Sequence, residues 1–426
     1  MKKILATSTA LYFLTAVVIF GWWYLAFFSS DSSRSCNGVQ SAHTKKSRLP
    51  PPRYLSYLSP MNRDLIQKAL GGDTSLMAKL MTEWDVDAQI LENHGIPGIR
   101  RLPNHEFVKS QMIGRKLNSN EGPELEGLRQ IYTANEIRDD NDQTFTLSSP
   151  MQKFLPQTYV SASFLLALTD PESIVAIPSG LREQTWLYPS SITNKIPLDI
   201  NRYNSEEIFK SQPEIAFVAH YTHPSTLQAL QNQGIPLFAL KSINSFPEIT
   251  NAISRVGQVI NRPLEAELLT LFMESAMLAI DNHIIAMSHD LIDDQPEQRV
   301  LFLDYHTQYS LPTKKTITGQ LLERLSSQHK FTFVSTAKDQ ENEWMIPIEL
   351  EQIVNLDPDC LIISSANTDS QTTLTRENSP LKYLSAQKQG KVYFVDNNIQ
   401  APTQYIILAY FDLAEVLIDA TSPYLR

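Results

Sequence analysis

The histidine, tyrosine and tryptophan residues of this chain define the chemistry open to it. His220-Tyr221-Thr222-His223 follows one apolar run and Tyr305-His306 follows another, while Tyr159, Arg182, Trp186 and Trp344 lie near the ends of similar segments. Phenol and imidazole groups ligate iron, aromatic faces stack on flat ligands, and a guanidinium pairs with a carboxylate. Tyr159, Arg182, Trp186, His220, Tyr221, His223, Tyr305, His306 and Trp344 are therefore the candidate ligand-binding residues. The His220-x-x-His223 pair could also hold a bare Zn, Fe or Cu ion, with His306 the obvious third imidazole. A metal site normally draws on a carboxylate or further imidazoles, so chelated or ring-bound iron fits better. Each residue also has a structural role open to it, since rings at strand ends plug cores. The chain lacks the G-x-S-x-G, G-x-x-x-x-G-K-[ST], H-E-x-x-H and C-x-x-C patterns, so no catalytic residue is expected and an enzyme is not.

The elements that must position these side chains are announced by a pattern that occurs twice. Residues 207–218 run from a short helical stretch through Pro213-Glu214 into the apolar Ile215-Ala216-Phe217-Val218, and residues 352–363 do the same through Pro358-Asp359 into Cys360-Leu361-Ile362-Ile363. Proline cannot continue a helix and biases its predecessor toward extended geometry, so each copy marks a helix-to-strand switch. The uninterrupted apolar runs read as strands buried on both faces, as in parallel sheets. Each unit then continues through a polar loop and a helix to a glycine, Gly234 or Gly390, placed where a helix ends in a left-handed residue, and a further strand follows. Two such units predict two similar α/β lobes, with ligand contacts from loops at the carboxyl ends of the strands.

Between the units, Ser245-Phe246-Pro247-Glu248 is a capping box that opens a helix to about residue 260. A second helix restarts at Pro263, and Leu264, Leu268, Leu271, Phe272, Met277 and Ile280 keep helical spacing to about Met287. Such a helix, about 37 Å long at 1.5 Å per residue, would join the lobes and permit small rocking motions rather than wide hinge closure.

With these pieces in place, residues from about 148 to 426 resemble the helix-linked (class III) periplasmic substrate-binding proteins of ABC importers. The resemblance rests on Phe164-Leu165-Leu166-Ala167-Leu168 followed by Asp170-Pro171-Glu172-Ser173-Ile174-Val175-Ala176-Ile177, on the two Pro-acidic units, on the linking helix, and on the closing stretch from Ser379-Pro380-Leu381 to Val395-Asp396. It implies two Rossmann-like lobes joined by a long α-helix, and a cleft that takes a ferric siderophore, haem or cobalamin as transported ligand, with no intrinsic cofactor. It also implies an ABC permease as partner. Such proteins usually present a glutamate in the first helix of each lobe to permease arginines; here Tyr159-Val160-Ser161-Ala162-Ser163 has none, and Glu323 is the second-lobe candidate. The alternative is a membrane-anchored structural or interaction domain that keeps the fold without the ligand.

The chain has 426 residues, enough for more than one core, and 46 acidic against 36 basic side chains with no basic block, which gives nucleic-acid binding little support. Lys2 and Lys3 precede an apolar run from Ile4 to Phe28 with Trp22, Trp23 and Tyr24 near its far end. That run is long enough to span a bilayer and reads as an uncleaved anchor more than as a signal peptide. It predicts a cell-envelope protein, anchored in the inner membrane with its main domain facing the periplasm or exterior. Two cysteines, Cys36 and Cys360, are not expected to meet. The expected organisation is an anchor or signal over 1–28, a linker over 29–59 with Pro50-Pro51-Pro52, a helical membrane-proximal region over 60–147, a first lobe over 148–245, linking helices over 246–294 and a second lobe over 295–426. Within 60–147, Arg138-Asp139-Asp140-Asn141-Asp142 lacks the glycine and distant glutamate of a calcium loop and reads as a solvated turn.

Overall fold

The computed structural model describes residues 63–73, 76–77, 135–147, 150–185, 187–200, 205–241, 243–291, 298–305, 308–328, 331–334, 344–365, 380–395 and 401–421. The expected anchor, the linker and most of the 60–147 region lie outside the described residues. Among the described residues no helix is long and apolar enough to cross a membrane.

The 60–147 region contributes a short helix, α1 (Arg63–Leu70), but its end is not helical. Strands β1 (Glu136–Arg138) and β2 (Thr144–Thr146) pair antiparallel as a hairpin. The acidic turn between them, expected to be solvated, is built into the fold. Asp139 is 4% exposed, and its carboxylate accepts from the N–H groups of Asn141 and Gln143 at 2.9 Å and of Ala239 at 3.0 Å. A carboxylate that satisfies three backbone donors is held in place, which an acidic cluster read only as charge does not reveal.

The first lobe follows. Strand β3 (Phe154–Pro156) leads into α2 (Tyr159–Leu168), whose start is capped by Thr158 and Ser161. Then come β4 (Ala176–Ile177), β5 (Leu198–Asp199), α3 (Ser205–Lys210), β6 (Ile215–Ala219), α4 (Pro224–Asn232) and β7 (Leu237–Leu240). Strands β3, β6 and β7 pair parallel in the order β3-β6-β7. The parallel pair β4-β5 joins them through a bridge between Phe154 and Ile174. Every residue of β6 is buried, as a strand covered on both faces must be.

Helix α5 (Phe246–Val259) begins at the Ser245–Glu248 capping box. Helix α6 (Pro263–Leu291) has 29 residues, four beyond the expected end at Met287, and spans about 43 Å. Leu268, Leu269, Leu271, Phe272 and Met273 are all buried, so its apolar residues surround it rather than form one stripe, as befits a helix packed between other elements.

The second lobe comprises β8 (Gln298–Tyr305), β9 (Tyr309–Pro312), α7 (Ile317–Gln328), β10 (Phe331–Phe333), β11 (Met345–Pro347), α8 (Leu350–Leu356), β12 (Cys360–Ser365), β13 (Val392–Val395) and the C-terminal helix α9 (Ile406–Thr421). Its sheet runs β11-β9-β8-β12-β13, with β10 parallel to the start of β8 and β9 antiparallel to its end. Strands β6 and β12 thus belong to separate sheets, and Ile215, Phe217, Val218, Leu361, Ile362 and Ile363 are all buried, as the repeated unit requires. Gly234 and Gly390 take φ values of +71° and +68°.

The repeat has a common physical cause. In the first lobe the Glu214 N–H donates to the Lys153 carbonyl at 2.9 Å, and its carboxylate accepts the Lys153 N–H at 3.1 Å. In the second the Asp359 N–H donates to the Arg299 carbonyl at 2.9 Å, and its carboxylate accepts the Arg299 N–H at 2.9 Å. The acidic residue after each proline therefore fastens its strand to the beginning of the neighbouring one and sets the parallel register.

Candidate functional site

In each sheet two neighbouring parallel strands send their connections to opposite sides, and a crevice opens at their carboxyl ends. In the first lobe these strands are β3 and β6, which deliver Thr158 and Tyr159 on one side and His220 and Tyr221 on the other. In the second they are β8 and β12, and Asp304 is the penultimate residue of the first of them. The two crevices face a shared cavity of about 760 Å³. First-lobe walls include Thr158, Tyr159, Gln184, His220, Tyr221, Lys241 and Asn244; second-lobe walls include Phe302, Asp304, Thr316, Thr318, Trp344 and Met345. Ala401 and Pro402 complete the lining.

Four of the candidate residues thus come together: Tyr159, His220 and Tyr221 from one lobe and Trp344 from the other. The imidazole of His220 and the ring of Tyr221 stand edge to face at 5.1 Å. Tyr221 leaves 65% of its surface exposed, yet its phenol is sheltered beside Thr158; that desolvation raises its pKa, while the Thr158 hydrogen bond works in the opposite direction. Tyr159 donates from its hydroxyl to Gln184.

The other candidates are placed differently. Arg182 is directed away from the cavity: its guanidinium binds Asp199 at 2.6 Å and the carbonyls of Thr193 and Ile196 at 2.6 and 2.7 Å. Those bonds hold the loop ahead of β5. His223 caps α4, with Nδ1 at 2.7 Å from Ser225 Oγ, and does not line the cavity with His220. Tyr305 packs against Tyr309 at 4.8 Å, with the ring planes inclined by 44°, and lies on the second-lobe core; burial there, with Tyr305 alongside, pushes the Tyr309 phenol up to about 12. Trp186 and His306 lie outside the described residues. No group of three or more His, Cys, Asp or Glu side chains among the described residues could hold a metal ion.

Sequence reasoning missed Gln184, Lys241, Asn244, Asp304, Thr316 and Thr318. Lys241 and Asp304 stand at the ends of β7 and β8 and could have been found by the strand-end rule. The threonines arrive through the antiparallel excursion of β9, which no pattern announces. Lys241 is tied to the hairpin, since its N–H donates to Asp140 at 2.6 Å. Asp140 also pairs with Arg255 at 2.6 Å. Burial works to raise the Asp140 pKa, but the Arg255 and Lys241 hydrogen bonds and charges bring it below the usual carboxylate value.

No family model matches this chain, and no curated protein does. Solved structures do. A possible iron-binding, periplasmic solute-binding protein from Staphylococcus epidermidis matches at 18% identity and a TM-score of 0.51, covering 63% of this chain and 99% of that one. The molybdate-bound periplasmic binding protein of a Haemophilus influenzae ABC transporter matches at 15% identity and a TM-score of 0.52, covering 67% and 91%. A periplasmic binding protein from Veillonella parvula matches at 16% and 0.51, covering 66% and 96%. At these identities the likeness is one of fold, and it agrees with two separate sheets, a linking helix and a cavity between them: the chain has the fold of the helix-linked periplasmic solute-binding proteins of ABC importers.

Proposed function

We propose that this protein is the extracytoplasmic solute-binding component of an ABC importer and that it takes an iron chelate, haem or cobalamin in the cleft between its lobes. The observation that carries this reading is the pair of exposed rings on opposite walls. Among the described residues three large apolar side chains stand exposed, and two of them, Tyr221 at 65% and Trp344 at 47%, line this one cavity from different lobes. Exposed rings facing a cavity are the usual means of gripping a flat or bulky apolar ligand. Tyr159 and His220 supply polar contacts, with His220 and Tyr221 the candidate iron ligands. Size supports a bulky solute, because about 760 Å³ lies within the roughly 300–1,000 Å³ of small-molecule sites and is far more than a bare oxyanion needs. Lys241 is the one lysine or arginine among the described lining residues, which again favours stacking and hydrogen bonding over the capture of a naked anion.

Anchorage through residues 4–28 and delivery to a permease belong to the same proposal. Glu323, the second-lobe candidate for permease contact, is about half exposed and paired with Lys314 at 2.6 Å. Calorimetric titration of the full chain with haem, cobalamin, ferric hydroxamate and ferric catecholate chelates, and molybdate as a small-anion control, tests the reading. One bulky member should bind at one per chain, and Trp344→Ala should weaken it roughly tenfold at the upper end of what a stacked ring contributes. Failure of every bulky member would favour the structural or interaction-domain reading.

A further inference from the structure

The floor of the cleft continues into the protein as a chain of bonded and stacked side chains that ends in the C-terminal segment. Behind Tyr159 and Gln184, Tyr188 sets its ring edge-on to that of Tyr159 at 5.8 Å and donates to Ser163 Oγ at 2.7 Å. Ser163 Oγ donates onward to Gln404 Oε1 at 2.9 Å, and Gln404 Nε2 donates back to the Ser163 carbonyl at 3.1 Å. Tyr405 stands edge-on to Tyr188 at 5.4 Å and donates to the Leu187 carbonyl at 3.1 Å. Ser163 and Gln404 have no exposed surface.

The place of this network matters more than its bonds. Ser163 lies on α2 of the first lobe, whereas Gln404 lies two residues ahead of α9, whose body belongs to the other side of the cleft. Asp419 of α9 accepts from the Tyr393 hydroxyl of β13 at 2.7 Å. Tyr410 of α9 donates to Asp281 of α6, which in turn binds Arg324 of α7. Ala401 and Pro402, just ahead of Gln404, line the cavity itself. One continuous segment therefore touches the first lobe, the cavity floor, the linking helix and the second lobe in turn.

We propose that Ser163 and Gln404 are positioning residues of the cleft, their paired hydrogen bonds forming a strap that fixes the spacing of the two lobes in addition to α6. The proposal rests on the cleft reading for its relevance to ligand, but its mechanical content stands without one. Opening the cleft at its floor would break the paired bonds of a buried amide and a buried hydroxyl, and bonds made away from solvent are more costly to lose than exposed ones. The strap thus holds the cleft near its binding width before ligand arrives, which removes part of the ordering cost of binding.

Spin labels on the full chain test this in the absence of ligand. Gln231→Cys on α4 and Lys388→Cys in the second lobe place labels on exposed positions of the two lobes, in a Cys36→Ser background. Cys360 is fully buried and its thiol is pushed up to about 12 by that burial, so it does not label. Gln404→Leu keeps the side-chain volume and removes both bonds; the inter-lobe distance distribution should gain a longer component, with the open fraction rising about tenfold. Ser163→Ala keeps the bond to the backbone carbonyl and should fall between wild type and Gln404→Leu, and it decides the matter alone if Gln404→Leu does not fold. Wild-type distances in a folded variant overturn the strap. The same samples titrated with haem and cobalamin separate the two claims: a wild type that binds neither these nor the chelates sinks the ligand reading alone, while unchanged distances sink the strap alone.

Discussion

Asp281→Ala is expected to destabilise the protein by about 3 kcal/mol, the lower end for breaking a buried ion pair, because it leaves a partly buried guanidinium without its counter-charge. Asp281 lies on the linking helix, 4% exposed, and binds Arg324 Nε at 3.1 Å while accepting a bond from the Tyr410 hydroxyl. The Arg324 guanidinium also stands over the Tyr410 ring at 5.8 Å. Three helices, α6, α7 and α9, thus meet at one carboxylate. Burial works to lower the Arg324 pKa, and Asp281 more than offsets it; the Tyr410 phenol is raised, by burial first and by the nearby carboxylate second. Tyr410→Phe removes one charge-assisted bond and should cost less, about 1.5–3 kcal/mol. Urea unfolding at unchanged slope is the check. A loss below about 1 kcal/mol for Asp281→Ala would show that the triad is not what joins the linking helix to the second lobe.

Gly319→Ala should cost about 3 kcal/mol, the upper end of what overpacking usually does, and should also disturb the cleft. A Cβ at this position would lie 1.9 Å from the Thr313 carbonyl oxygen and 2.6 Å from its carbon, and backbone cannot yield as a flexible side chain does. Helix α7 must therefore shift off the turn beneath it. That turn carries Thr316, which accepts the Gly319 N–H at 2.9 Å, and both Thr316 and Thr318 line the cavity. Thermal denaturation should show the loss of stability, and titration with the ligand identified by the panel should show weaker binding in the fraction that remains folded. A variant of wild-type stability would mean that α7 slides freely against residues 313–316.

The architecture was more legible than the site, for physical reasons. The two Pro-acidic units, the Ser245–Glu248 capping box and the long linking helix rest on interactions between residues close in sequence, and such interactions leave local marks. Glu214 and Asp359 show why the repeat is strict: each carboxylate has one geometric task, at the start of a neighbouring strand. The β1–β2 hairpin escaped notice because its strands are three residues long, too short for alternation to show, and its turn earns its shape from Ala239, 100 residues away. Arg182 carried the right charge for a ligand contact, but it is spent on Asp199 and on the backbone carbonyls of Thr193 and Ile196, and no side-chain pattern reveals the carbonyl partners. That Tyr159, His220, Tyr221 and Trp344 would line one cavity could be read because strand ends and aromatic type are both visible. The union of Ser163 with Gln404 across 241 residues could not, since only the folded chain brings them together.

The central claim, that one ligand is gripped by both lobes at once, is tested most directly by titrating the Tyr221→Ala/Trp344→Ala double variant with whichever panel member binds the wild type. The two rings come from different lobes and line one cavity, so their losses should add, and affinity should fall about 100-fold with little change in the unfolding midpoint, as both side chains are exposed. Wild-type affinity in the double variant would place the ligand somewhere other than this cleft.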